Sequence, residues 1–153
     1  MSGVFWLIQN LLTVSMYGTV RMPEIFLLCL VYQLLTGERD VYVYVIWFAF
    51  FGGLLWDLRW EGGIPFFTLC YVAVVMGVIW VWNTLPSQGR TAIIIFFLFW
   101  AAQLLPAVLS VLILERGTGN LNWMLFAVQQ GSAVPVSILS AFFYFQYEKN
   151  RNA

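Results

Sequence analysis

The sequence predicts an all-α protein, a polytopic transmembrane bundle of about six helices, and three observations carry that prediction. Of its 153 residues 62% are hydrophobic and 9% charged, whereas soluble domains carry roughly a quarter charged residues. Runs such as Ile93-Ile-Ile-Phe-Phe-Leu-Phe-Trp100 are apolar on every side, unlike the in-and-out alternation of a membrane β-strand. Charged residues fall almost only at the ends of such runs, where they avoid the cost of a charge at the bilayer centre.

The segments follow from that punctuation. The first runs over residues 3–20 and carries no basic residue before Val4, while Gln9 and Asn10 lie inside it, so it is read as a retained span rather than a cleaved signal. Arg21-Met-Pro-Glu24 closes it, with Pro23 suited to the first turn of the next helix. The second segment, 23–36, is about 20 Å of helix against a hydrocarbon core of about 30 Å, so it either thins the bilayer or does not fully cross. A tight turn at Gly37-Glu-Arg-Asp40 leads to the third, 41–56, with Tyr42, Tyr44 and Trp56 near its ends as interfacial anchors. The fourth, 65–82, ends around Trp80 and Trp82. Pro86, Ser87 and Gly89 turn the chain into the fifth, 91–114, and a glycine-rich turn precedes the last, 121–147, before the polar tail Glu148 to Ala153. The whole chain is one membrane domain without repeats. If all six segments cross, Arg39, Arg90, Lys149 and Arg151 oppose Arg21, Arg59 and Arg116, and this bias places both termini in the cytoplasm.

Seven basic residues balance seven acidic ones, and no basic block exists to hold nucleic acid. The expected surroundings are membrane lipid and membrane-embedded partners. Cys29 and Cys70 both sit in apolar runs and read as reduced packing residues. With no histidine in the chain, His-based acid–base catalysis, serine triads and most zinc sites are absent. We expect no enzyme, no cofactor and no metal. Asp57 and Glu61 have the spacing of a carboxylate pair on one helix face, but Asp57-Leu-Arg59-Trp-Glu61 reads better as a mixed-charge turn whose ions pair locally or meet water.

Small residues recur at four-residue spacing as Ala49/Gly53, Ala73/Gly77 and Ala133/Ser137/Ala141, the pattern by which membrane helices approach closely. Such faces pack within one chain or receive a second membrane protein, including another copy of this one. Polar residues at membrane depth are Gln129, Gln130 and Ser132 near Pro135 in the last segment, and Gln103 near Pro106 in the fifth. Glutamine amides answering proline-freed carbonyls at a kinked helix contact are the simpler account. A small-ligand pocket is the sharper one.

Over residues 23–82 the order of features resembles the MreD family of bacterial rod-shape proteins: Pro23-Glu24 opening a short apolar helix, a tight turn, Phe51-Gly52-Gly53-Leu54-Leu55-Trp56-Asp57, then Gly63-Ile64-Pro65. Trp56 and Trp60 make this stretch more aromatic than the family's. The resemblance implies a non-catalytic subunit of the cytoplasmic membrane that works with the single-span protein MreC, the actin-like filament MreB, and RodA with its transpeptidase in side-wall peptidoglycan synthesis. Gly52, Gly53, Asp57 and Gly63 match the family pattern, and with Arg59 and the Ala133/Ser137/Ala141 face they are the expected functional or interface positions. The family is also similar in architecture to the substrate-binding S subunits of energy-coupling vitamin transporters. That is the alternative function, with Gln103, Gln129 and Gln130 as the intramembrane polar patch.

Overall fold

The computed structural model describes residues 2–15, 24–58, 65–86, 90–114 and 123–151. All regular structure among them is helical: α1 Ser2–Ser15, α2 Ile25–Thr36, α3 Arg39–Asp57, α4 Phe66–Thr84, α5 Ala92–Leu114 and α6 Trp123–Arg151. Helices α3 and α4 and the stretch Phe126–Asn150 of α6 are long and apolar enough to cross a membrane.

The arrangement is organised around the shortest of the bundle's helices. With 12 residues, α2 is about 18 Å long and too short to cross a hydrocarbon core of about 30 Å. Its apolar side chains point in every direction, and Phe26, Leu27, Leu28, Leu30, Val31, Leu34 and Leu35 are all buried, as a helix without a polar face requires. Each of the other five helices packs against it. The second segment is therefore a central post rather than a weak span.

Around this post α3 and α4 form the closest pair. A Cβ on Gly53 would stand 2.5 Å from Thr68 Cα, so only glycine lets the α4 backbone lie this near. A Cβ on the neighbouring Gly52 would overlap the Phe26 ring of α2. One glycine pair thus admits two neighbours, and Ala49, one turn before Gly53, is fully buried on the same face. Gly77 has nothing within 4 Å, and with the exposed Ala73 it lies on the outer side of α4. Ala133, Ser137 and Ala141 are buried inside the bundle, so this face is an internal helix contact and is closed to a partner as the chain is packed.

Two further expectations are corrected. Trp56 is buried edge-on against Phe67 rather than anchoring at an interface. Trp82 is buried too, between the Arg90 guanidinium, 4.1 Å from its ring, and Tyr144. Helix α6 continues through Glu148 and Lys149 to Arg151, because both are strong helix formers and nothing in the tail breaks the helix. The outward faces remain apolar, with Tyr44, Trp47, Phe48, Phe51 and Leu55 exposed on α3 and Ile138, Leu139, Phe142 and Phe143 on α6.

Gly53→Ala should force α3 from α4 and lower stability by about 1–3 kcal/mol, with Gly53→Leu worse. Gly77→Ala, made in open space, should be neutral or slightly stabilising. Thermal unfolding in mild detergent checks both; equal melting temperatures for Gly53→Ala and the parent would remove the close contact.

Candidate functional site

A helix that starts inside a bundle brings unanswered backbone N–H groups with it, and water is not there to meet them. At the start of α2 two glutamines from other helices do so. Gln103 of α5 accepts the Glu24 backbone N–H at 2.8 Å and donates to the Glu24 carbonyl at 3.2 Å. Gln9 of α1 accepts the Phe26 N–H at 2.7 Å and donates through its other end to the Glu24 carboxyl. Tyr71 of α4 donates its hydroxyl to the same carboxyl oxygen at 2.6 Å. Glu24, Gln9, Gln103 and Tyr71 are all buried. Four helices therefore meet at one residue.

The depth of this cluster follows from helix counting. Gln103 stands 11 residues from each end of α5, about 17 Å of helix either way. Tyr71 lies five residues into α4. An acid so placed is costly unless its oxygens are hydrogen-bonded, and the only donors to the Glu24 carboxyl among the described residues are an amide and a phenol. Glu24, expected as charged punctuation at the end of an apolar run, is instead a buried, hydrogen-bonded acid inside the bundle.

A second junction lies where α3 hands over to α4. Asp57, the last residue of α3, accepts the Phe67 N–H at 2.9 Å on one carboxylate oxygen. Its other oxygen accepts the Thr68 N–H at 2.8 Å and the Thr68 hydroxyl at 2.6 Å. A negative group at a helix N-terminus is favoured by both the free N–H groups and the helix dipole. Asp57 thus caps the next helix, which gives it a different partner from the local ion pairing expected of it. Arg59, Glu61 and Gly63 lie outside the described residues.

The third polar group behaves oppositely. Gln129 and Ser137 are buried on α6, and Gln130 is half-buried beside them. The Oε1 of Gln129, both amide atoms of Gln130 and the Ser137 hydroxyl are sealed from solvent with no hydrogen-bond partner. The expectation that glutamines answer carbonyls freed by prolines is corrected for two of them: Gln103 is committed to Glu24, and Gln130 answers nothing. Cys29 and Cys70 are free thiols.

Gly52, Gly53 and Asp57 from the predicted set therefore fall together at the α2–α3–α4 junction. Gln103 joins the Glu24 cluster, and Gln129 and Gln130 stay apart from it. Sequence reasoning missed Gln9, Glu24 and Tyr71 as a unit. The available signal was an acid placed directly before an apolar segment too short to span, with glutamines inside two other apolar runs. Fold and junctions define an all-helical bundle with membrane-length helices, tied by side chains that cap the starts of α2 and α4. No protein-family model matches the chain, and no curated protein or solved structure matches it either.

Glu24→Leu should destabilise the protein by about 2–5 kcal/mol, because it strands the Gln9 amide and the Tyr71 hydroxyl. Glu24→Gln, which keeps an acceptor, should lose less. In a double-mutant cycle Glu24→Leu and Tyr71→Phe should couple by about 0.5–3 kcal/mol; additive losses would separate the two residues.

Asp57→Asn keeps one acceptor of two and should cost about 1 kcal/mol, and Asp57→Ala up to about 2. Faster hydrogen exchange at the Phe67 and Thr68 amides would localise the loss. Unchanged exchange at these amides would contradict the cap.

Proposed function

We propose that this chain is a non-catalytic scaffold subunit of the bacterial cell-elongation machinery, a multi-pass protein of the cytoplasmic membrane with both termini on the cytoplasmic side. It holds an MreC-like single-span protein and, through it, contacts the MreB filament and RodA with its transpeptidase. The observation that carries this reading is the use made of the polar residues in α1 to α5. Glu24, Asp57, Gln9, Gln103, Tyr71 and Thr68 bond to helix ends or to one another, which is the construction of a frame. The absence of histidine from the sequence agrees with it. The positions that resemble the MreD family also act as one unit: Gly52 receives Phe26, Gly53 receives the α4 backbone, and Asp57 caps α4. The exposed aromatic face of α3 offers a membrane-embedded partner apolar area.

A second reading, the substrate-binding S subunit of an energy-coupling vitamin transporter, is favoured by the unanswered Gln129 oxygen and Gln130 amide of α6. Affinity purification of the tagged protein from native membranes in mild detergent separates the two. Recovery of a single-span coiled-coil protein with cell-wall synthases is the expected result. Recovery of paired ATPases with a transmembrane coupling subunit would replace the scaffold reading with the transporter one.

A further inference from the structure

The Glu24 carboxyl is bonded to neutral groups. Gln9 turns its oxygen to the Phe26 backbone N–H, which can only donate, so the end it turns to Glu24 is its NH₂ group, which can also only donate. Tyr71 bonds the same carboxyl oxygen, Oε2, at 2.6 Å. Gln103 is taken up by the Glu24 backbone. Among the described residues no Lys or Arg pairs with this carboxyl, and the residue is 8% exposed.

The surrounding helices do not supply the missing charge. Helices α1 and α5 carry no titratable side chain. On α4 the titratable groups are Tyr71 and the adjacent free thiol of Cys70, and on α2 Cys29 and Tyr32 lie further along the helix. On α3, Asp57 is spent on capping α4. Arg39, Asp40, Tyr42 and Tyr44 follow the opposite end of α2, about 18 Å of helix from Glu24. On α6 the first titratable side chain is Tyr144, beside Trp82.

A carboxylate with two neutral donors and no counter-charge is expensive inside a membrane bundle, whereas a carboxylic acid in the same place costs far less. We propose that Glu24 is a proton-binding latch: the packed bundle holds it as the neutral acid, with the proton on Oε1, and loss of that proton frees α1 from the start of α2. Oε2 is the acceptor of both bonds, which leaves Oε1 for the proton. On opening, the proton passes from Oε1 to water and no other covalent bond changes. The carboxylate then lowers its energy by turning toward water, and so abandons the Gln9 and Tyr71 donors together. Helix α1 packs chiefly on α2, so it is the element released first. The latch closes as the pH falls and opens as it rises. This inference rests on neither functional assignment, since a scaffold and a transport subunit could each carry such a latch.

Infrared spectroscopy of the purified full-length protein in mild detergent tests it. At neutral pH the parent should show the C=O stretch of a protonated carboxyl that is missing from Glu24→Gln, and this band should fade as the pH is raised. No such band, or one that persists in Glu24→Gln, would overturn the proposal. Above the pH of fading, the α1 amides should exchange hydrogen faster in the parent than in Glu24→Gln at the same pH; equal exchange would overturn the latch. Unfolding by a denaturing detergent gives a further reading. The unfolded chain releases this proton near the ordinary glutamate value of about 4.3, and the folded chain releases it where the band fades. Between the two the folded form holds more protons, so stability falls as the pH rises. Relative to Glu24→Gln, the unfolding constant of the parent should rise about tenfold per pH unit across that window and then level off; a ratio independent of pH would overturn the proposal. Should Glu24→Gln not fold, Tyr71→Phe takes its place. The ionised form then loses a donor, so the band should persist to higher pH, and an unchanged fading pH would overturn the assignment of the proton to Glu24.

Discussion

The architecture depends on the buried N-terminus of α2. A helix about 18 Å long cannot place both its ends at the two membrane surfaces, so one end is left inside, with its N–H groups facing a medium that cannot bond them. Leaving each of them unmet would cost several kcal/mol in hydrocarbon. The chain solves this with two glutamine amides, each bonding at both ends, from α1 and α5. Because each amide belongs to a different helix, meeting the requirement of α2 also fixes where α1 and α5 stand. Tyr71 adds α4 through the Glu24 carboxyl.

The same logic recurs at Asp57. The start of α4 is capped by the residue that ends α3, rather than by a side chain of its own first turn. That cap works only if the helices are close. Gly53 makes them so, since a single methyl group there would meet the α4 backbone at Thr68. Close approach and capping are thus one device: the glycine brings the helix end within reach, and the carboxylate rewards the approach with three hydrogen bonds. Gly52 extends it to α2 by receiving the Phe26 ring, so the pair couples the junction to the central post.

The helical class and the positions of the segments were legible because runs of membrane length that are apolar on every side suit a helix and lack the in-and-out alternation of a membrane β-strand. The shortness of the second segment was legible too, but not its consequence, since composition does not say whether a short apolar helix lies at the surface or at the centre. Gly52, Gly53 and Asp57 could be singled out because each departs from its bulky apolar neighbours. Glu24 could not be, because an acid at the end of an apolar run looks the same whether it meets water or is roofed by three other helices. Its partners lie 15, 47 and 79 residues away, and no local pattern reports contacts of that range. Trp56 misled for the same reason: an aromatic residue at a helix end suits an interface and a tertiary contact equally well.

The polar groups divide the molecule energetically. Around α2, and between α3 and α4, hydrogen-bonded networks link the helices, and satisfied buried networks stiffen a unique arrangement. Along α5 and α6 the side chains of Trp100, Gln129, Gln130 and Ser137 hold atoms with no partner, and two prolines interrupt the helical ladders there. Such a contact is held by apolar packing against a polar cost, so any arrangement that answers those atoms competes with it. Gln103 stands where the two regimes meet, in α5 but bonded to Glu24. Through Gln103, α5 is tied to the central post by hydrogen bonds.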